Sequence, residues 1–225
     1  MIAFILRRLL LALLVVLTVM CLAFVLTRLS GDLAISIAGP GSTQADVEVI
    51  RKAYGLDRPV LVGHSDGASI AAIYGGSVQD HRMAGLVLMS PHFIVEDVTS
   101  ASIAEIRKAY DSTDLRQRLG RWHQDGDATV HGWTDVWLTN DFRSWDLTED
   151  LAYIRMPVLI VQGGQDQYGT MRQVEIAQEE CYCPVEVLEL PEAKHVPHRE
   201  APQRTLDAVA DFIGRALAAQ TAPGI

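Results

Sequence analysis

Two patterns of hydrophobic residues divide the chain. Residues 9–27 form an uninterrupted run of 19 residues without a charge. As a helix this run is about 29 Å long, close to the thickness of the hydrocarbon core of a bilayer. Beyond Pro59 the apolar residues come in short runs bounded by glycine or proline, which is typical of buried parallel strands. Four such runs are present, at 60–63, 84–90, 157–163 and 185–190.

Helical patterns alternate with these four predicted strands. Thr43 and Asp46 fit a capping box at the start of a helix that runs to about Tyr54, and Gly55 is expected to end it. Further helices are expected at about 67–78, in several pieces across 93–154, at about 170–181 and at about 203–219. Strands that alternate with helices predict an α/β fold class with a parallel sheet.

The long apolar run predicts a single membrane-spanning helix within residues 1–28. A pair of arginines precedes the run and only Arg28 follows it closely, so the N-terminus is expected in the cytoplasm and the rest of the chain outside. The chain is therefore expected to be a single-pass membrane protein of the bacterial inner membrane. The alternative is a cleaved secretory signal peptide, for which Ser36 and Ala38 form a small-residue site.

The composition excludes wholesale disorder and disfavours a nucleic-acid partner. A hydrophobic content of 49% permits a sizeable core, and 19 Lys plus Arg against 28 Asp plus Glu gives a net charge of −9. Cys21, Cys181 and Cys183 are expected to be free thiols, because a Cys-x-Cys pair without partners at metal spacing is a weak zinc signal. The sequence carries no dinucleotide-binding glycine pattern, so no cofactor is expected.

The segment Gly63-His64-Ser65-Asp66-Gly67 has the Gly-x-Ser-x-Gly pattern of a nucleophile elbow. It stands between a predicted strand and a helix of small residues, where the turn would hold Ser65 in a strained conformation at the carboxyl edge of the sheet. The two glycines would let strand and helix approach each other. These features predict Ser65 as a nucleophile and the backbone N–H of Asp66 as an oxyanion donor. The alternative is a serine in a glycine-rich turn.

A serine nucleophile requires a histidine that takes its proton and a carboxylate that fixes the tautomer of that histidine. Asp166 and His195 each come just past one of the last two predicted strands. Their positions predict His195 as the general base and Asp166 as its orienting group, in the chain order Ser, Asp, His. The alternatives are a turn aspartate and a histidine of a surface loop. His64 is expected to pack beside the site and His198 to be structural.

Residues from about 57 to 219 resemble the carboxyl-terminal two thirds of an α/β-hydrolase, through LVGHSDGASIAA, GLVLMSPH, MPVLIVQGGQDQYG and AKHVPHREAP in this order. The resemblance implies a serine hydrolase that acts on a small-molecule acyl substrate, with a helical lid at about 91–156. His92, His123 and His131 lie in or near this lid and are not expected to form a metal site. All four tryptophans fall in it, where they either line an apolar pocket or pack the lid onto the domain: Trp122, Trp133, Trp137 and Trp145.

Residues 1 to about 61 resemble instead the start of dipeptide/oligopeptide ABC-transporter permeases, through an Ile-Leu-Arg-Arg start, a Gly-Pro-Gly turn and a Gly-Leu-Asp-Arg-Pro stop. The resemblance implies a linker with a short helix at 29–58, before a hydrolase domain at 59–225. No second uncharged stretch of 18 residues follows residue 28, so neither transport nor an ATPase partner is expected.

The residues before the predicted nucleophile are few for this fold. An α/β-hydrolase has four strands before that point and a loop that supplies a second oxyanion N–H, and the roughly 30 residues between the apolar run and Pro59 do not suffice for them. We therefore expect a truncated α/β-hydrolase fold, in which the strand at 60–63 lies at an edge of the sheet. Two functions follow: a membrane-anchored serine hydrolase that forms an acyl-enzyme on Ser65, or a non-catalytic, membrane-associated fusion remnant.

Overall fold

The structure, a computed structural model, describes residues 42–77 and 82–219, and the chain divides into two compact units. The first unit is Met1–Asp57 with Val78–Arg82, and the second is Arg58–Ser77 with Met83–Ile225. In the first unit the structure describes helix α1, Gln44–Tyr54. The strands and the remaining helices of the described residues belong to the second unit.

Helix α1 begins and ends where the sequence predicts. The Thr43 hydroxyl accepts a hydrogen bond from the backbone N–H of Asp46 at 3.3 Å, and the Asp46 carboxylate accepts one from the N–H of Thr43 at 2.8 Å. These two bonds are the capping box. Gly55 follows the helix with a φ of 63°, a left-handed conformation that glycine adopts without a steric penalty from a Cβ.

Four parallel strands form one sheet in the order β1-β2-β3-β4, and all four predicted strands are confirmed. The strands are β1 Val60–His64, β2 Gly85–Met89, β3 Val158–Gly163 and β4 Val185–Leu190. Every residue of β3 is buried, as expected for a strand covered on both faces. Within the described residues β1 pairs with β2 alone, and its Val62 is 50% exposed, so the prediction of an edge strand is confirmed there.

Helices cover both faces of this sheet. They are α2 Asp66–Ser77, α3 Asp97–Ser112, α4 Leu115–Leu119, α5 Gly126–Trp137, α6 Thr148–Leu151, α7 Arg172–Glu180, α8 Pro197–Glu200 and α9 Pro202–Ala219, with a 3-10 turn at Asp141–Ser144. Because side chains alternate across a strand, Leu88 joins a core cluster with Ala72 of α2, whereas Val87 joins another with Phe212 of α9. The second unit is thus an α/β sandwich with a parallel sheet.

Residues 91–156 form an insertion between β2 and β3 that carries α3 to α6, here named the β2–β3 insertion. Its two ends are held together, because the N–H of Leu147 donates to the carbonyl of Phe93 at 2.8 Å. The buried side chain of Gln173, on α7, accepts a hydrogen bond from the N–H of Phe93 at 2.7 Å and donates to Glu96 at 2.7 Å. The start of the insertion is therefore fixed to the sheet domain.

The predicted membrane span at 9–27 lies outside the described residues, and so do Cys21 and most of the permease-like segment. Within residues 42–77 and 82–219, no helix has both the length and the apolar character needed to cross a bilayer. Cys181 and Cys183 are free thiols, as expected.

Candidate active site

A tight turn between β1 and α2 presents Ser65. Its φ is 55°, in the left-handed region that residues with a Cβ seldom adopt. The N–H of Ser65 donates to the carbonyl of Met89 at 2.9 Å, which ties the turn to the end of β2. The carbonyl of Ser65 in turn accepts from the N–H of Ala68 at 2.8 Å and begins α2. The hydroxyl therefore stands at the carboxyl edge of the sheet, where the sequence predicts it.

The two glycines of the motif do not play the same part. A Cβ on Gly63 would lie 2.3 Å from the carbonyl oxygen of Gly67, so strand and helix approach too closely for any side chain at residue 63. A Cβ on Gly67 itself would meet no atom within 4 Å. The prediction of a close approach is therefore right for Gly63 and wrong for Gly67, because the missing Cβ of Gly67 points away from the contact.

The structure brings Ser65, His195 and Asp166 into one hydrogen-bonded line. Nε2 of His195 lies 2.9 Å from Oγ of Ser65, and Nδ1 of the same ring lies 2.9 Å from both carboxylate oxygens of Asp166. His195 stands in the loop after β4 and Asp166 in the loop after β3, so the carboxyl ends of three parallel strands supply the three groups. This arrangement can move a proton from the serine hydroxyl to an imidazole whose other nitrogen is already held.

The Asp166 carboxylate is held as an anion. Its side chain is 1% exposed and accepts hydrogen bonds from the N–H of Tyr168 at 2.8 Å and from Nε2 of Gln162 at 3.0 Å. Burial raises the pKa of Asp166, but its hydrogen bond and charge interaction with His195, together with these two donors, outweigh burial and leave the pKa below its usual value. An ionised Asp166 fixes the proton of His195 on Nδ1 and leaves Nε2 to face Ser65.

Two further histidines pack beside this line, as the sequence predicts. Nε2 of His64 donates to the backbone carbonyl of His195 at 2.6 Å, so that nitrogen is used in holding the loop after β4. The rings of His64 and His198 meet edge to face with centroids 5.0 Å apart. His64 therefore holds the loop that carries His195, and His198 packs against His64.

Sequence reasoning missed the place of His92. This side chain is 3% exposed, and its ring lies 5.6 Å from that of His195 and 5.3 Å from that of Trp137. Both the N–H and the carbonyl of His92 are hydrogen-bonded to the hydroxyl of Ser69 on α2. His92 comes two residues after Ser90 at the end of β2, so its closeness to a strand end is the signal that could have placed it at the site.

We expect His92 to make stability depend on pH. Burial, then the charge of His195, lowers its pKa from 6.5 to about 4. Between these pH values the unfolded chain takes up a proton that the folded chain does not, so the free energy of unfolding falls as the pH falls. A pKa shift of this size contributes about 3 kcal/mol to the free energy of unfolding above pH 6.5, and this contribution is lost by about pH 4.

Urea unfolding at several pH values between 7 and 4 would measure this dependence. In His92→Phe, which keeps a ring but has no titrating group, the decline should be smaller by about 3 kcal/mol. The exposed His123→Phe serves as the control and should keep the decline of the wild type. Equal declines in wild type and His92→Phe would contradict the prediction.

A cavity of about 350 Å³ opens above Ser65. Its lining includes Trp133 and Trp137 of the β2–β3 insertion, together with Tyr168. Trp145 instead packs against the core, and Trp122 is 84% exposed. Of the two roles expected for the tryptophans, lining a pocket therefore applies to Trp133 and Trp137, and packing applies to Trp145.

The backbone N–H of Asp66 is placed to meet a developing negative charge. Asp66 is the first residue of α2, and the first N–H groups of a helix have no acceptor within the helix. A carbonyl oxygen held against this N–H would lie beside the Ser65 hydroxyl. The described residues ahead of β1, 42–59, contain α1 and no strand, so they do not form the strand and loop that would supply a second donor.

Within the described residues, no cluster of three or more His, Cys, Asp or Glu side chains could hold a metal ion.

Comparison with solved structures shows the same fold in proteins of several bacteria. A Mycobacterium tuberculosis protein described as the non-heme bromoperoxidase BpoC is 17% identical with a TM-score of 0.54, over 80% of this chain and 76% of its own. An alpha/beta fold family hydrolase from Bacillus anthracis is 17% identical with a TM-score of 0.53, over 76% of this chain and 72% of its own. A proline iminopeptidase from Mycobacterium smegmatis is 16% identical with a TM-score of 0.53, over 76% of this chain and 70% of its own.

The sequence itself carries the family relationship. No curated protein matches it significantly. The family model of the alpha/beta hydrolases, in contrast, matches residues 23–208, more than four-fifths of the chain. This match begins upstream of residue 57, the approximate start of the stretch that resembles an α/β-hydrolase. Together with the parallel sheet and its flanking helices, it shows that the chain belongs to the alpha/beta hydrolase family.

Proposed function

We propose that the chain is a serine hydrolase that cleaves a carboxylic ester or a related acyl compound through an acyl-enzyme on Ser65. The observation that carries this proposal is the line of 2.9 Å contacts from Ser65 Oγ through His195 to Asp166. A serine hydroxyl is a weak nucleophile near neutral pH, and a histidine held in this way is what activates it.

The proposed reaction has two halves. Oγ of Ser65 attacks the substrate carbonyl carbon while Nε2 of His195 takes the hydroxyl proton, and the Asp66 N–H donates to the oxygen that becomes negative. His195 then gives the proton to the leaving group as the carbon–oxygen bond breaks. In the second half a water molecule attacks the acyl-enzyme, His195 takes its proton, and the same proton returns to Ser65 as the acid is released.

The substrate class rests on the site rather than on the structural neighbours. The similar structures include a bromoperoxidase and a proline iminopeptidase by their descriptions, so their likeness supports the fold and not one reaction. Ser65 at the nucleophile position argues against the dehalogenase chemistry of this fold, which uses a carboxylate there. The cavity of about 350 Å³ fits a small acyl substrate.

A second candidate, a catalytically inactive fusion remnant, is favoured by one observation. The described residues before β1 contain no strand, and the loss of one oxyanion donor lowers a rate by about 100- to 1000-fold. Slow turnover by itself would therefore not distinguish a weak enzyme from a remnant. A covalent probe of the nucleophile does, because it needs one chemical event per protein molecule.

A fluorophosphonate probe tests the proposal. We expect the purified full-length chain to be labelled on Ser65, identified by peptide mass spectrometry, and Ser65→Ala to remain unlabelled. Ser112→Ala removes an exposed serine at the end of α3 and should be labelled like the wild type. If a chain that is folded by circular dichroism takes up no label, or takes it up elsewhere than Ser65, the second candidate replaces the first.

A further inference from the structure

In the part of the chain that the structure describes, a single acidic side chain lines the cavity above Ser65. Among the described residues that line it, Asp66 is the single carboxylate, and neither lysine nor arginine is present. The lining histidine His92 is held neutral at physiological pH, because burial lowers its pKa to about 4. His195 is already committed to Ser65 and Asp166. No lysine or arginine of the described cavity lining is therefore available to pair with the Asp66 carboxylate.

The Asp66 carboxylate is partly buried and has a neutral hydrogen-bond donor beside it. Burial raises the pKa of Asp66, and a hydrogen bond from the side chain of Trp137 together with the charge of His195 lowers it by less. A partly buried carboxylate whose protein partner is a neutral indole is better stabilised by a cation than by the protein alone. The free site thus favours a positively charged group from outside.

Aromatic rings complete the surroundings of this carboxylate. Trp133 and Trp137 come from α5, and Tyr168 comes from the loop after β3. The rings of Trp133 and Tyr168 lie 6.5 Å apart between centroids, and the ring of Tyr168 lies 4.7 Å from that of His195. Aromatic walls around a single carboxylate are the surroundings in which proteins hold primary and quaternary ammonium groups.

We propose that this cavity binds the ammonium group of a cationic ester or amide, with the Asp66 carboxylate and the rings of Trp133, Trp137 and Tyr168 as its subsite. This inference rests on the proposed function and names its substrate class: small acyl compounds with an amine or a quaternary ammonium a few bonds from the scissile carbonyl. The charge belongs either to the acyl part, as in an amino-acid ester, or to the alcohol part, as in a choline ester.

The place of Asp66 in the chain couples binding to chemistry. Its backbone N–H is the proposed oxyanion donor, whereas its side chain carries a negative charge close to the same point. With a neutral substrate, this charge opposes the developing oxyanion. A bound ammonium group neutralises the carboxylate and removes its repulsion of the oxyanion. A cationic substrate should therefore have a higher kcat as well as a lower KM.

Two pairs of esters with matched shapes test the subsite. Acetylcholine is compared with 3,3-dimethylbutyl acetate, and alanine ethyl ester with ethyl isobutyrate, so that each pair differs in charge and little in size. In at least one pair, Asp66→Asn should lower the ratio of kcat/KM for the cationic ester to that for the neutral ester at least tenfold. The pair that responds identifies which side of the scissile bond carries the charge.

Asp114→Asn is the matched control, because it removes an exposed carboxylate of the β2–β3 insertion and the same unit of net charge. It should keep the wild-type ratio in both pairs. Since the ratio compares two substrates of one variant, it is insensitive to a general loss of activity. A change of less than tenfold in both pairs for Asp66→Asn would overturn the subsite while leaving the hydrolase itself in place.

A binding measurement keeps the test independent of turnover. In Ser65→Ala, quenching of tryptophan fluorescence by choline and by alaninamide is compared with quenching by 3,3-dimethylbutanol and by isobutyramide. At least one cation should bind at least tenfold more tightly than its neutral counterpart, and Ser65→Ala/Asp66→Asn should lose this preference. Equal affinities in both pairs would overturn the subsite. Absence of fluorophosphonate labelling together with a retained cation preference would instead overturn the serine hydrolase.

Discussion

Replacing His195 by alanine is expected to lower kcat by about 10⁴- to 10⁶-fold, the loss seen when a serine nucleophile is deprived of its base. Nε2 of His195 lies 2.9 Å from Oγ of Ser65, and within the described residues no other histidine makes a hydrogen bond to that hydroxyl. His64 uses its Nε2 on the carbonyl of His195. Steady-state hydrolysis of an activated aryl ester measures the effect.

The same assay can compare the single variants of Ser65 and His195 with the double variant. Because Ser65 and His195 act as one unit, Ser65→Ala should cost about as much as His195→Ala, and the double variant should be no slower than either. His123→Ala, which removes an exposed histidine of the β2–β3 insertion, should retain wild-type activity. Losses that multiply in the double variant would show that the two side chains act separately and would contradict the proposed mechanism.

Replacing Asp166 by asparagine is expected to lower kcat by about 10⁴-fold with little change in the fold. The carboxylate accepts from Nδ1 of His195 at 2.9 Å and also from Tyr168 and Gln162. An asparagine amide can donate to Nδ1 instead of accepting from it, which places the histidine proton on Nε2 and leaves no base facing Ser65.

Stopped-flow hydrolysis across pH 6 to 10 separates this effect from unfolding. The Asp166→Asn protein should keep the circular dichroism spectrum of the wild type and regain part of its rate at high pH, where hydroxide replaces the missing base. Asp114→Asn provides a control of equal charge change and should leave the rate unaltered. A loss below about tenfold in Asp166→Asn would mean that His195 is oriented by other contacts.

The regular elements could be predicted from the sequence because their signals are local. A strand buried on both faces needs a short apolar run, and the runs at 84–90 and 157–163 coincide with the buried strands β2 and β3. A capping box and a glycine at the C-cap need only residues that are close in the chain, so α1 is found to within one residue. Chain order and strand ends also bring Ser65, Asp166 and His195 to one edge without knowledge of any distance.

The environment of the site could not be predicted in the same way. The sequence indicates only that His92 lies in or near an insertion, whereas packing against Trp137 and His195 buries it at the cavity. The prediction that Gly67 permits the close approach of strand and helix is also wrong, because the direction of a missing Cβ depends on the turn geometry. Which tryptophans line the cavity depended on how α5 packs, a contact between residues far apart in sequence.

By itself, the sequence determined the α/β class, the four parallel strands, the edge position of β1 within the described residues, and the three residues that meet at the carboxyl edge. Its prediction of a single-pass membrane anchor at 9–27 stands as a prediction. Only the tertiary structure decided that the Asp66 carboxylate faces an aromatic cavity and that His92 lies beside His195. The reason is physical: apolar periodicity and turn chemistry are properties of neighbouring residues, whereas burial, charge balance and cavity shape arise when distant segments pack together.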